Sequence, residues 1–272
     1  MTTTTNLFVV FDPTREDQPA LERAASIASE PEVKLHVFAC IFTDTAKSKD
    51  KSAETSECIS EQQAILDLAV APLIERGIAV TTEVEWDKDW AQAAVRASIK
   101  TTADFVLKSS YRYSTGKRIL NRTSDWILMR ECLCPVLLIK DSAPRKNTRV
   151  LSAIDICARK ESYERLNQNV IEFSKQILNK RDAEVHFINA FQDFKGIPDR
   201  QELIRNCGID SDRIHIKLGD PDKVIVDQAR KLDASLVVVG NSARTGLSAA
   251  LMGNTVEKVL DKLDCDVLSV PA

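Results

Sequence analysis

The residues best suited to chemistry lie near the C-terminus, in the run from Val237 to Val259. Three valines lead into Gly240, a short loop follows, and Gly253-Asn254-Thr255 opens a helix predicted to end at about Leu263. Glycine lets the backbone approach a phosphate closely, and the free N–H groups of a helix start favour an anion. Asn254 or Thr255 can cap that helix or donate to a phosphate oxygen. Arg244 adds a permanent cation nearby. This is chemistry for holding a phosphate rather than for breaking a bond. The chain has no Gly-x-x-x-x-Gly-Lys-(Ser/Thr) loop, no Gly-x-Ser-x-Gly elbow and no His-Glu-x-x-His, and no nucleophile or acid–base pair stands out.

The elements that must position these residues follow from hydrophobic periodicity. Apolar runs suited to buried strands fall at 7–11, 35–41, 79–84, 105–107 and 136–139. The same order returns at 150–154, 185–190, 214–217, 236–239 and 267–270. Segments of helical period lie between them, such as Leu21, Ala24, Ala25 and Ala28. Continuous Val/Ile/Leu strands alternating with helices predict parallel sheets covered on both faces. The fold class is therefore α/β, two tandem doubly wound domains, each a five-stranded parallel sheet with right-handed crossovers. The halves also match residue by residue. Ala103–Leu107 corresponds to Ala234–Val238, and Cys134-Pro135-Val136-Leu137 corresponds at the same spacing to Cys265-Asp266-Val267-Leu268. Duplication explains such a match.

Domains are expected at 1–142 and 148–272, joined by a polar linker at 141–148. The length of 272 residues suits two domains of common size. The first helix of the second half is predicted to be the longer. The segment after the second strand is longer in the first half, where Asp44–Glu57 is polar without a core face. It reads as a mobile surface loop leading to a helix at about 59–77.

Composition narrows the function classes. A net charge of −3 gives no general attraction for nucleic acid or an anionic membrane. No apolar run approaches the roughly 20 residues of a membrane span, and the N-terminus lacks the basic region of a signal peptide. A cytoplasmic location is the expectation. Seven scattered cysteines and three unclustered histidines argue against a disulfide framework or a structural zinc site, so most cysteines are read as small buried hydrophobes.

The stretch after Val237 resembles the C-terminal signature of the universal stress protein family, Gly-x2-Gly-x9-Gly-(Ser/Thr), here written Gly240-x2-Ala243-x9-Gly253-Asn254-Thr255. Asp155 at the end of a first strand, Val185-His186-Phe187 in a second, and Gly219-Asp220-Pro221-x3-Ile225 after a third are further family marks. The resemblance covers nearly the whole chain, once per half, and is closest to the family's tandem two-domain, E-like type. It implies an adenine-nucleotide alpha-hydrolase-like architecture and a stress-response module that binds ATP, with Mg²⁺ possible beside it. Asp155 and the backbone at Phe187 would meet the adenine, while Gly219, Gly240, Arg244, Gly253, Asn254 and Thr255 would surround the phosphates. Ala243 and Asn254 depart from the family pattern. The alternatives are a weak Mg-dependent ATPase and a scaffold whose pockets take an apolar ligand. Dimerisation of single-domain relatives through the last strand implies an internal pseudo-dimer here, with 136–139 beside 267–270, and a monomeric chain. Protein partners are not readable.

In the first half Ser109, Arg112 and Arg122 replace the signature, and Lys88-Asp89-Trp90 replaces the Gly219 turn. ATP is not expected there. Arg112, Lys117, Arg118 and Arg122 read as a solvated basic loop, with an anion site as the alternative. Asp12 and Asp155 fit a ligand contact or a loop hydrogen bond equally. His36 and His186 are expected as hydrogen-bonded core imidazoles, and His215 as an exposed residue. Trp86, Trp90 and Trp126 read as packing residues closing a pocket, and Arg145, Lys146 and Arg149 as solvated.

Overall fold

In a computed structural model, residues 4–29, 32–44, 50–111, 118–140, 148–157, 161–180, 183–241, 259–260 and 262–272 are described. The chain divides into two units, 1–142 and 143–272.

The first unit contains β1 (Thr5–Phe11), α1 (Pro19–Ile27), β2 (Val33–Ile41), α2 (Lys51–Glu75), β3 (Ala79–Trp86), α3 (Trp90–Lys100), β4 (Phe105–Ser109), α4 (Arg118–Glu131) and β5 (Val136–Ile139). Its strands pair in the order β3-β2-β1-β4-β5, and the observed pairs are parallel. Strand residues alternate between faces. Leu7, Val9, Phe11, Leu35, Val37 and Ala39 therefore meet α1 and α2, burying Leu21, Ala24, Leu66 and Val70 against the sheet. On the other face Phe8 packs against Phe38, ring centroids 5.5 Å apart, and stacks on His36 at the same distance.

The second unit contains β6 (Arg149–Ala153), α5 (Glu161–Lys180), β7 (Glu184–Phe191), α6 (Arg200–Cys207), β8 (Ile214–Leu218), α7 (Pro221–Lys231), β9 (Leu236–Asn241) and β10 (Asp266–Pro271). The order β10-β9-β6-β7-β8 repeats the first unit's pattern, again in parallel. Helix α5 has 20 residues against nine in α1, as the sequence predicts. A hydroxyl pair, Ser152 Oγ to Ser174 Oγ at 2.6 Å, fastens β6 to α5 inside the core.

All ten apolar runs are strands. The expected loop at 44–57 is corrected over most of its length. Helix α2 begins at Lys51, capped by Asp50, whose carboxylate accepts the Ala53 N–H at 3.0 Å. Its first turn is exposed and polar, so no apolar stripe announced it; the cap and an acidic first turn suffice. Residues 45–49 lie outside the described residues. So do 242–258, and with them the predicted loop and the opening of the last helix.

Candidate functional site

An open parallel sheet binds ligands at its carboxyl edge, where the strand order reverses. In the second unit this switch point falls between β6 and β9, directly above which Asp155 lies. Asp155 is exposed, and its backbone is clamped at both polar groups. Its N–H donates to Asn167 Oδ1 at 2.9 Å, and Asn167 Nδ2 donates to its carbonyl at 2.7 Å. Its Oδ1 accepts the Cys157 N–H at 3.1 Å, an Asx turn, while Oδ2 accepts no hydrogen bond among the described residues. The loop hydrogen bond thus engages one carboxylate atom, and the other carries none among the described residues.

Gly219 follows β8 with φ of +140°, and its N–H donates to the Phe191 carbonyl at 2.9 Å. A side chain there would be strained and would touch Val224 at 3.0 Å. Gly240 has a different reason to be glycine. A Cβ would come within 2.6 Å of Leu166 Cγ, so the space is taken by helix α5. Phe187 is not at the edge: it sits mid-strand, paired with Ser152 and Ile214 in a sheet flanked on both sides, and is 1% exposed. Two residues on, Asn189 Oδ1 accepts the Ile156 N–H at 3.0 Å. Arg244, Gly253, Asn254 and Thr255 lie outside the described residues, as does Ala243. Asn167 and Asn189 were missed in the sequence; a buried Asn inside Val185–Phe191 was the available signal.

The first unit repeats the clamp with other atoms. The Asp12 N–H donates to Gln18 Oε1 at 3.1 Å, and Gln18 Nε2 returns a bond to the Asp12 carbonyl at 2.8 Å. Asp12 Oδ1 accepts from Thr14 N–H and hydroxyl, and Oδ2 lies 3.9 Å from Arg15. Beneath this loop, at the switch point between β1 and β4, is a cavity of about 660 Å³, and of the three tryptophans expected to close a pocket Trp90 lines it. Phe38, Val10 and Cys40 line its depth, with Trp90 and Lys108 alongside. Lys108 is buried and pairs with Asp125 at 2.6 Å; its ammonium also donates to the Ser109 carbonyl at 3.0 Å. Burial pushes the Cys40 thiol up to about 11, and it donates to the Asp87 carbonyl. Ser109, in the place of Gly240, accepts the Ala20 N–H at the start of α1. The side chains of Arg112, Lys117, Arg118 and Arg122 are outside the described residues.

The histidines form a repeated motif. His36 Nδ1 meets Thr81 Oγ1 at 2.8 Å and its Nε2 lies 3.3 Å from Glu83. His186 is buried, bonded to His215 at 3.1 Å and to Glu184 at 3.1 Å. His215 is thus no exposed bystander: it stacks on His186 and stands beside Ile188 as Glu83 stands beside Phe38. Desolvation, with His186 and Lys217 adding, holds His215 down to about 4. Arg149 is likewise not merely solvated, since it pairs with Glu184 at 3.1 Å and bonds the Leu232 carbonyl. No group of His, Cys, Asp and Glu suited to a metal ion occurs among the described residues. No helix among them is long and apolar enough to cross a membrane.

Two units of one doubly wound design, each with a clamped aspartate at its switch point, define a duplicated α/β fold, and the chain belongs to the universal stress protein family, whose model matches residues 4–140 and 148–271. Among curated proteins it is similar to universal stress protein E of Salmonella typhi, 27% identical over 97% of this chain and 93% of that one. The Escherichia coli K12 protein of the same name is 26% identical over the same shares. A universal stress protein from Archaeoglobus fulgidus shares the fold, with a TM-score of 0.78, 18% identity, and 99% and 97% of the two chains covered.

Proposed function

We propose that the chain is a ligand-responsive stress protein of the cytoplasm that binds an adenine nucleotide at the carboxyl edge of its second unit. The observation carrying this reading is Asp155: an exposed carboxylate, clamped in position at the switch point, with Oδ2 open to a ligand donor such as an adenine amine or a ribose hydroxyl. Gly219 keeps the neighbouring edge free of a side chain. The phosphates would fall to Gly253, Asn254 and Thr255 with Arg244, because the methyl-sized space at Gly240 is already occupied by Leu166. Mg²⁺ would accompany the phosphates as counter-charge.

The test is acid extraction of the purified protein for bound nucleotide, followed by thermal unfolding with ATP. A ligand at about 100 times its Kd adds about 2.7 kcal/mol of stability. Asp155→Ala is expected to remove most of the resulting rise in Tm. A wild-type Tm indifferent to millimolar ATP, with no nucleotide extracted, discards the reading. Measuring phosphate release on the same sample distinguishes binding from hydrolysis.

A further inference from the structure

We infer that the cavity of the first unit is a second ligand site, of different chemistry, for an uncharged flat aromatic molecule carrying a hydrogen-bond acceptor. The inference is independent of the nucleotide reading for the second unit. The cavity's about 660 Å³ falls within the range of small-molecule sites. Its position is the switch point, where the fold concentrates ligands, and its depth is lined by Phe38, Val10 and Cys40 with the Trp90 ring at the side. Rings of this kind favour an aromatic guest, by about 0.5–1.5 kcal/mol per ring contact beyond area burial.

Charge decides against a polyphosphate. The cation at depth, Lys108, is already neutralised by Asp125 at 2.6 Å, and Ser110 Oγ holds the other carboxylate oxygen at 2.8 Å. Among the described residues of the rim, Asp12, Glu16 and Asp17 outnumber Arg15, which is itself spread over Tyr111 at 3.7 Å and lies within 3.9 Å of Asp12 and 3.8 Å of Asp17. An anionic guest would enter past three carboxylates to reach a cation that is already paired. A neutral guest meets no such cost. It also meets a donor group: the Lys108 ammonium donates to the Ser109 carbonyl, pairs with Asp125 and stands over the Trp90 ring, 5.4 Å from its centroid. A carbonyl, ether or ring nitrogen lying beside Trp90 would accept from it. The Cys40 thiol, raised to about 11, stays protonated and inert at neutral pH, so the cavity holds its guest rather than reacting with it.

The probe is 6-propionyl-2-(dimethylamino)naphthalene, uncharged, two rings wide and bearing a ketone, titrated into the full-length chain. Saturable binding at one site per chain is expected, with emission shifted to the blue. In the variant Trp86→Phe/Trp126→Phe, which leaves Trp90 as the sole tryptophan, its emission should fall as the probe binds, a readout that does not depend on disrupting the cavity. Trp90→Ala should weaken the probe by about tenfold or more, and Trp90→Phe by less than about threefold. The anionic dye 8-anilinonaphthalene-1-sulfonate tests the charge preference; it should bind at least about tenfold more weakly than the neutral probe. The inference is overturned by probe binding that leaves Trp90 emission unchanged, by absence of saturation, by equal or tighter binding of the sulfonate, or by displacement of the probe with ATP. Displacement would make the cavity a nucleotide pocket.

Discussion

Gly240 and Ser109 hold matching places at the ends of β9 and β4, and each answers a neighbouring helix. Ser109 offers its hydroxyl to the Ala20 N–H, whereas Gly240 yields its side-chain space to Leu166. Gly240→Ala is therefore expected to destabilise the protein by about 1–3 kcal/mol through overpacking. Adding Leu166→Ala should recover part of that loss, a non-additivity readable in urea unfolding. If the glycine served only a ligand, the single change would leave apo stability untouched. His215 supports a second prediction. Its folded-state value of about 4 lies below the unfolded one, so the unfolded chain binds more protons between them. Stability from this residue is complete above about pH 6.5 and is lost as pH falls toward 4. Discounted for partial solvent screening, the loss is on the order of 1–2 kcal/mol, and His215→Gln should flatten the unfolding profile over that range by this amount.

At the scale of elements, helix α2 shows where sequence legibility ended. The ten strands were readable because burial on both faces demands continuous Val, Ile and Leu. The first turns of α2 bury almost nothing, so periodicity had no signal, and only Asp50 three residues before Ala53 marked the start. Asp50→Ala should cost about 1 kcal/mol and raise hydrogen exchange over 51–58, leaving the later turns protected. The cavity was only partly legible. Trp90 read as closing a pocket, but Phe38, Trp90 and Lys108 come from β2, α3 and β4, far apart in the chain, so the remaining walls left no local signal. The Lys108–Asp125 pair that ties β4 to α4 is also testable. Asp125→Ala strands a buried ammonium and should destabilise by about 3–5 kcal/mol, while Lys108→Met with Asp125→Leu should cost much less.

For the molecule as a whole, duplication preserved the frame while the side chains at its carboxyl edges differ between the two units. Of the residues proposed for the second unit's site, Asp155 and Gly219 were legible as motif members and stand at the carboxyl edge, while Phe187 lies mid-strand with its side chain buried. A motif specifies residue types along the chain, whereas an edge position depends on how far a strand continues, and β7 continues to Phe191. If the two sites are separate, their ligands respond to separate variants. Asp155→Ala should abolish the ATP-induced rise in Tm yet leave the naphthalene probe bound, and Trp90→Ala should do the reverse, both read by thermal unfolding and fluorescence on the same preparations.

The reciprocal amide bonds behind Asp12 and Asp155 carry a consequence for the history of such a chain. Gln18 and Asn167 differ in length and in helix position, yet each grips both backbone polar groups of its aspartate from the rear. A loop anchored from behind keeps its course whatever stands in front, so substitutions on the outward surface are not filtered by their effect on folding. Each copy of the duplicated segment can thereby change the residues facing solvent without losing the course of its loop.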